Sequence, residues 1–225
     1  MESIKLSPSE LTFLWDECRR CFYLKVMQKF NRPASVFPKI FGSIDKAMKS
    51  YYAGRSPSEI SPDLPQGQIF VSEKFVTSEP IELPGHSLRC HFSGKIDAYI
   101  RFDDGTFGVV DFKTSDPAPA HIDFYNRQLQ AYKYTLEHPA PGKVGYAPIT
   151  RMGLVYFTPE SMAPASDVPL ALNGRMTWQE MKPDDEKFMA FLGEILTVLE
   201  SPELPAPGEK CSFCAYRSAA RETGF

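Results

Sequence analysis

The stretch GKIDAYIRFDDGTFGVVDFKTSD, Gly94 to Asp116, decides the fold, because it reads as two strands joined at Asp103-Asp104-Gly105. In the first arm Ile96, Ala98, Ile100 and Phe102 alternate with Lys95, Asp97, Tyr99 and Arg101, the period-two pattern of a half-buried strand. In the second arm Asp111 and Lys113 stand two residues apart and leave the same face. A two-residue turn at Asp104-Gly105 would pair Asp97 with Phe112 and put the aspartates on opposite faces. A three-residue loop, Asp103 to Gly105 with the glycine left-handed, pairs Arg101 with Phe107 and Asp97 with Asp111. Only this second register lets Ile96, Ala98 and Ile100 share a face with Val110 and Phe112, so burial selects it. Lys95, Asp97, Asp111 and Lys113 then crowd together.

Carboxylates directly opposite one another on neighbouring strands repel. A hard divalent ion, Mg2+ or Mn2+, relieves that repulsion, and such ions are held by one or two carboxylates with water and phosphate oxygens. Lys113 beside the ion would position an attacking water and stabilise charge developing on a phosphoryl group. On spacing alone, a solvated sheet face carrying ordinary ion pairs stands as an equal alternative.

Outward from the hairpin, Ser7-Pro8-Ser9-Glu10 has the form of a capping box with proline in the first turn. Leu11, Leu14, Trp15, Cys18, Phe22 and Val26 follow at helical spacing, so one amphipathic helix is expected there. A second helix is expected at 41–52. Strands are expected in QIFVSEKFV and HSLRCHFS, then a helix at 121–137, a strand RMGLVYFT, an extended piece DVPLAL at 167–172 and a helix at 184–199. Helices flanking a mixed sheet make the fold class α/β. The twenty prolines punctuate loops and leave no repeat, so 1–225 reads as a single domain. Within it a cysteine-bearing lobe covers about 1–55 and 184–225, and a catalytic sheet covers about 68–175.

A net charge of -3 supplies no global basic field, so contact with nucleic acid must be local. No apolar run reaches membrane-spanning length, and MESIKLSPSE lacks the basic and apolar regions of a leader. The expectation is a cytoplasmic, soluble protein without a membrane partner. Five cysteines, an odd number, then favour metal or plain burial over disulfides.

GKIDAYI, VVDFKTS and QLQAY, in that order, resemble the PD-(D/E)XK nuclease superfamily in its RecB-like branch, which includes CRISPR-associated exonucleases. LSPSELTFLWDECRRCFYL is similar to that branch's opening helix and CSFCAYRSAA to its C-terminal cysteine segment. The resemblance implies a restriction-endonuclease-like mixed sheet flanked by helices. It implies metal ligation by Asp97, Asp111 and the Phe112 carbonyl, catalysis with Lys113, and a Q-x-x-x-Y motif in Gln128 and Tyr132. These two share a helix face, where they would reach DNA phosphate or order the site. Where the branch often carries a histidine ligand after a glycine, FGSIDKAM supplies Asp45, a candidate third ligand or, equally, a helix carboxylate paired with Lys49.

Cys18-x-x-Cys21 and Cys211-x-x-Cys214 form a split pair of pairs. In branch members with iron–sulfur clusters one upstream cysteine joins three downstream ones. Cys18, Cys211 and Cys214 match three of those positions, no cysteine follows Cys214, and Cys21 restores the count. Zinc requires thiolates roughly 3.8 Å apart, whereas a 4Fe-4S cluster spreads its ligands more widely. The reading therefore favours 4Fe-4S, with Zn2+ the alternative and buried thiols the plain one. Cys90 and the four histidines have no ligand spacing.

The function implied is a Mg2+- or Mn2+-dependent deoxyribonuclease, an exonuclease on single-stranded DNA ends in repair, recombination or CRISPR-type processing. The alternatives are a structure-specific endonuclease and a silent DNA-binding module. Arg19, Arg20, Lys25, Lys29 and Arg32 are weak candidates for tracking phosphates, a solvated helix face being the commoner fate of such charges. There is no ATPase motif, so unwinding would fall to a helicase partner, and CRISPR or recombination proteins are the other partners implied.

Overall fold

The computed structural model describes residues 3–34, 37–164, 166 and 170–224. In chain order its elements are β1 (Ile4–Leu6), a 3-10 turn (Pro8–Leu11), α1 (Phe13–Glu17), α2 (Arg19–Gln28) and α3 (Lys39–Tyr52). There follow β2 (Gly67–Val71), β3 (Phe75–Thr77), β4 (Cys90–Lys95), β5 (Ala98–Phe102) and β6 (Phe107–Lys113). The rest are α4 (Ile122–Glu137), β7 (Ile149–Ala163), β8 (Ala171–Met181), α5 (Asp185–Glu200) and α6 (Ser212–Glu222). From Gly108 to Phe112 every residue of β6 is buried, the signature of a strand covered on both faces. It is the central strand of a five-stranded sheet, β2-β5-β6-β7-β8, in which only the β6–β7 pair is parallel. α4 makes the crossover that a parallel pair demands. A smaller sheet, β1-β4-β3, stands beside it, and the fold is a mixed α/β one.

The hairpin register is the three-residue-loop one: Ala98 pairs with Val110, Tyr99 with Val109, Ile100 with Gly108 and Arg101 with Phe107. Gly105 has φ +86°, the left-handed conformation the loop requires. GKIDAYIRF is not one strand, however. It breaks at Ile96-Asp97, where the chain leaves the small sheet for the large one, and QIFVSEKFV breaks opposite it at Ser72–Lys74. The Ser72 amide donates to the Asp97 carbonyl at 2.9 Å and keeps the two crossings together. The break shifts the alternation, so Ile96 packs with Val109, Leu129 and Tyr132 while Ala98 and Ile100 pack with Val110 and Phe112. The expected common face for Ile96 is therefore corrected.

α4 lays Leu129, Tyr132 and Leu136 over Val109, Leu154 and Tyr156 on one face of the large sheet. α3 lays Met48 and Tyr52 over Ala98, Val110, Phe112 and Val155 on the other. A third core joins Trp15 and Phe22 to Phe92 of β4 and to Leu192, Ile195 and Leu196 of α5. Each such side chain contributes about 1.5–3 kcal/mol when fully buried.

The single helix expected after Ser7 is broken. Ser7 and Glu10 do form the box contact, the Ser7 amide donating to Glu10 Oε2 at 3.1 Å, but Cys18 is extended (φ −165°, ψ 103°) and separates α1 from α2. Asp184 caps α5, accepting from the Lys187 amide at 2.9 Å. The extended piece expected at 167–172 falls partly on 167–169, outside the described residues. The expectation did not include α6. Among the described residues no helix is long and apolar enough to cross a membrane.

Glu200, at the end of α5, accepts from the amides of Ser87 (2.6 Å) and Leu88 (2.8 Å) and pairs with His86 Nδ1 (2.8 Å). These donors, the Leu88 amide foremost, hold its carboxyl down at about 2. The folded-state value lies below the unfolded one, so this stabilisation is present above about 4.5 and is lost as pH falls towards 2. Glu200→Gln is expected to lower the melting temperature at pH 7, and the gap to wild type should narrow across that window. A gap that is independent of pH would contradict the assignment.

Candidate active site

Asp97 occupies the strand break, where its side chain is free of the pleat. Its Oδ2 accepts from the Phe112 amide at 3.1 Å and its Oδ1 meets Lys49 Nζ at 2.7 Å. The amide and carbonyl of one strand residue point to the same side. The Phe112 carbonyl therefore leaves β6 on the same side as that amide, and the Phe112 ring is stacked on Tyr52.

Asp111 is 5% exposed. Its Oδ1 accepts from Gln128 Nε2 at 3.1 Å; its Oδ2 is ion-paired with Lys113 Nζ at 2.6 Å but receives no directed hydrogen bond. Burial pushes the Asp111 carboxyl up, Lys113 opposes it and the Asp97 charge adds to the rise. Burial also acts against the Lys113 ammonium, but Asp111 outweighs it and Lys113 is held above its usual range. Its Nζ lies 3.4 Å from Gln128 Oε1 and 4.7 Å from the Tyr125 ring centroid.

Gln128 thus donates to the carboxylate and accepts from the ammonium with one amide. Tyr132 gives its hydroxyl to the Lys95 carbonyl at 2.6 Å, two residues before Asp97, and burial raises its phenol. Both side chains are buried, and their contacts here are with the site's own groups. They hold the strand break and the Asp111–Lys113 pair in place.

Asp45 lies one turn before Lys49, whose Nζ bridges Asp45 Oδ2 (2.8 Å) and Asp97 Oδ1 (2.7 Å). Burial lowers this ammonium and the two carboxylates more than restore it. Among the described residues the only group of three or more candidate ligands within 4.8 Å of one another is a set of cysteines. Asp45, Asp97 and Asp111 are therefore spread more widely, with lysine ammoniums between them. The oxygens are hard donors of the kind a divalent ion takes, and here the Lys49 and Lys113 ammoniums supply the positive charge they gather.

Each of the five basic candidates of the first helices has a partner within the protein. Arg19 stacks on Trp15 at 3.4 Å, Arg20 donates to the Pro205 carbonyl at 2.6 Å and Lys25 pairs with Glu10 at 3.0 Å. Lys29 donates to the Val26 carbonyl at 2.9 Å, and Arg32 pairs with Glu17.

Cys18, Cys21, Cys211 and Cys214 converge, with Sγ separations of 3.7 Å for the pairs 18–214, 21–211 and 21–214. Cys18 and Cys211 are the N-caps of α2 and α6, and Cys21 and Cys214 are each the third helical residue. Two positive helix ends therefore point at the sulfurs. Cys18 Sγ accepts from the amides of Gly208 (3.2 Å) and Cys21 (3.4 Å), and Arg32 and Arg217 donate to Cys211 and Cys214 at 3.5 and 3.2 Å. Burial resists ionisation of Cys18, yet those amides bring it down to about 6; burial pushes Cys21 up to about 12. Four cysteine sulfurs gathered this closely could hold a metal ion, which would favour their thiolate forms.

Lys49, Gly208 and Arg217 were not singled out as site residues. Lys49 had a signal in its i+4 spacing from Asp45. For the other two, approach to the sulfurs is a tertiary event that no spacing records.

The family model of the PD-(D/E)XK nuclease superfamily matches residues 66–219, well over half of the chain. The crystal structure of SSO0001 is similar at a TM-score of 0.50 and 18% identity, covering 97% of this chain and 86% of that one, a likeness of fold alone. No curated protein matches the sequence.

A Cβ on Gly208 would lie 2.1 Å from the Glu17 carbonyl oxygen, a contact that only backbone movement relieves. Gly208→Ala is expected to cost about 1–3 kcal/mol, the usual range for overpacking, in denaturant unfolding. An unchanged midpoint would show that this approach is not needed.

Proposed function

We propose, from the premise that this chain belongs to the PD-(D/E)XK nuclease superfamily, that it hydrolyses DNA phosphodiesters as an exonuclease on single-stranded ends, within the RecB-like branch. The observation that carries the reading is the buried Asp111 beside Lys113, with Asp97 brought to them from the strand break through the Phe112 amide. Asp97, Asp111, the Phe112 carbonyl and Asp45 would hold Mg2+ or Mn2+. When bound, the ion supplies Lewis-acid polarisation of the scissile phosphate.

This chain's own groups do the rest. Lys113, kept charged by Asp111, orients the attacking water and offsets charge growing on the phosphate oxygens. Gln128 fixes both members of that pair, and Tyr132 fixes the carbonyl next to the strand break. In hydrolysis the water oxygen forms a new bond to phosphorus as the ester bond breaks, leaving one phosphate end and one hydroxyl end. The whole chain acts as one nuclease domain in this reading.

For the cysteines the geometry favours one tetrahedral ion, Zn2+, over the 4Fe-4S cluster that the resemblance implied. Arms of ~2.3 Å give a tetrahedron edges of about 3.8 Å; three of the six sulfur pairs stand at 3.7 Å and all lie within 4.8 Å, whereas a cluster needs wider spacing. The ion would clasp α2 to α6.

End-labelled linear and closed circular single strands incubated with Mn2+ test the reading. Loss of linear strands alone supports the exonuclease, cut circles indicate an endonuclease, and no cleavage of either defeats hydrolysis. Asp111→Ala and Lys113→Ala should each lower the rate by at least about a hundredfold with the circular dichroism spectrum unchanged. Turnover surviving in either variant would sink the assignment of that residue.

Purified protein is expected to be colourless with one zinc per chain. A brown sample with about four irons per chain would restore the cluster.

A further inference from the structure

Next to Lys113 and Asp45 opens a cleft of about 490 Å³, whose remaining walls include Phe37, Phe41, Gly42 and Tyr125. Phe37 is 72% exposed, and its ring centroid lies 5.4 Å from that of Phe41, the planes tilted by 46°. An apolar ring at the rim of a charged site is not explained by internal packing when, like Phe37, it keeps most of its surface exposed. Gly42 is the second anomaly. It sits inside α3, where glycine is disfavoured relative to alanine, yet a Cβ there would meet nothing within 4 Å. No turn or close approach demands it. What its missing side chain preserves is the open volume of the cleft.

The ligand must then present a flat apolar face within reach of a cation and of carboxylates suited to a metal. An unpaired nucleotide has that form, with a base to stack on the rings and a phosphate to lie at Lys113. A base inside a duplex has both faces covered by its neighbours and cannot offer one. We propose that this cleft receives the unpaired terminal base of the strand, stacked on Phe37 and Phe41, and so selects single-stranded ends. The inference rests on the nuclease reading of the adjoining residues and adds to it a site for the base itself. Stacking is tolerant of base identity, so the cleft gives a preference for strandedness without one for sequence.

The test is fluorescence anisotropy with labelled single-stranded oligonucleotides in Ca2+, whose hard-oxygen preference makes it a stand-in for the ion. One set has normal ends and the others carry an abasic nucleotide at the 5′ or the 3′ terminus; the length of the recovered strand is checked. Wild type is expected to bind one of the abasic strands roughly tenfold more weakly than the normal strand. Phe37→Ala and Gly42→Leu should both weaken binding of the normal strand by a similar factor and abolish the discrimination. Phe37 is exposed and Gly42 faces open space, so neither change should disturb folding, as circular dichroism would confirm. Equal binding of normal and abasic strands by wild type, or discrimination that survives in Phe37→Ala, overturns the proposal. Cleavage of normal strands alongside equal binding would remove the cleft and leave hydrolysis standing. Base-dependent binding without cleavage in Mg2+ or Mn2+ would keep the cleft and remove hydrolysis.

Discussion

Two carboxylates set against one another across neighbouring strands repel, and the arrangement survives only where positive charge is brought to them. Here that constraint organises the surrounding elements. The break before β5 supplies Asp97 and β6 supplies Asp111, α3 sends Lys49 between Asp97 and Asp45, and β6 itself supplies Lys113. α4 crosses beneath, giving the amide of Gln128 to Asp111 and the hydroxyl of Tyr132 to the strand break. The two helices that cover opposite faces of the large sheet are thus the two that service its charged end. Packing and site chemistry are one problem solved by the same residues: Tyr132 belongs to the core and to the site at once.

A second constraint acts at the termini. Each Cys-x-x-Cys pair starts a helix, with one cysteine as the cap and the other as the third helical residue, so both sulfurs of a pair lie at a positive helix end. Gly208 admits its own backbone against the break between α1 and α2 and donates its amide to Cys18. This clasp joins segments nearly the whole chain apart, and it anchors α2, whose Phe22 and Val26 fill the core shared with α5. The basic residues of this region are used in the same construction. Arg32 and Arg217 point at sulfur, and Arg19 lies on Trp15.

The hairpin was legible because a period of two leaves few choices. Once Asp103-Asp104-Gly105 is a turn, the burial of Val110 and Phe112 picks the register that sets Asp97 against Asp111. The same alternation misled at Ile96, because a strand that leaves one sheet for another shifts its face at the crossing, and nothing in a run of alternating residues marks where the partner strand changes. The broken first helix has a similar origin. Cys18 keeps the 3.6-residue spacing of the apolar face, but its sulfur serves as a cap, a choice made by the amides of Gly208 and Cys21.

Residue order by itself determined the α/β class, the hairpin register, and the neighbourhood of Asp97, Asp111 and Lys113. These depend on local periodicity and on short spacings, which a linear chain records. Tertiary structure alone decided that Lys49 bridges two carboxylates, that Gln128 and Tyr132 are buried supports, that the four sulfurs gather within 4.8 Å of one another, and that Phe37 and Phe41 border an open cleft. Each of those depends on distances between elements far apart in the chain. Such distances are set by how three cores pack together, and no spacing along the sequence encodes them.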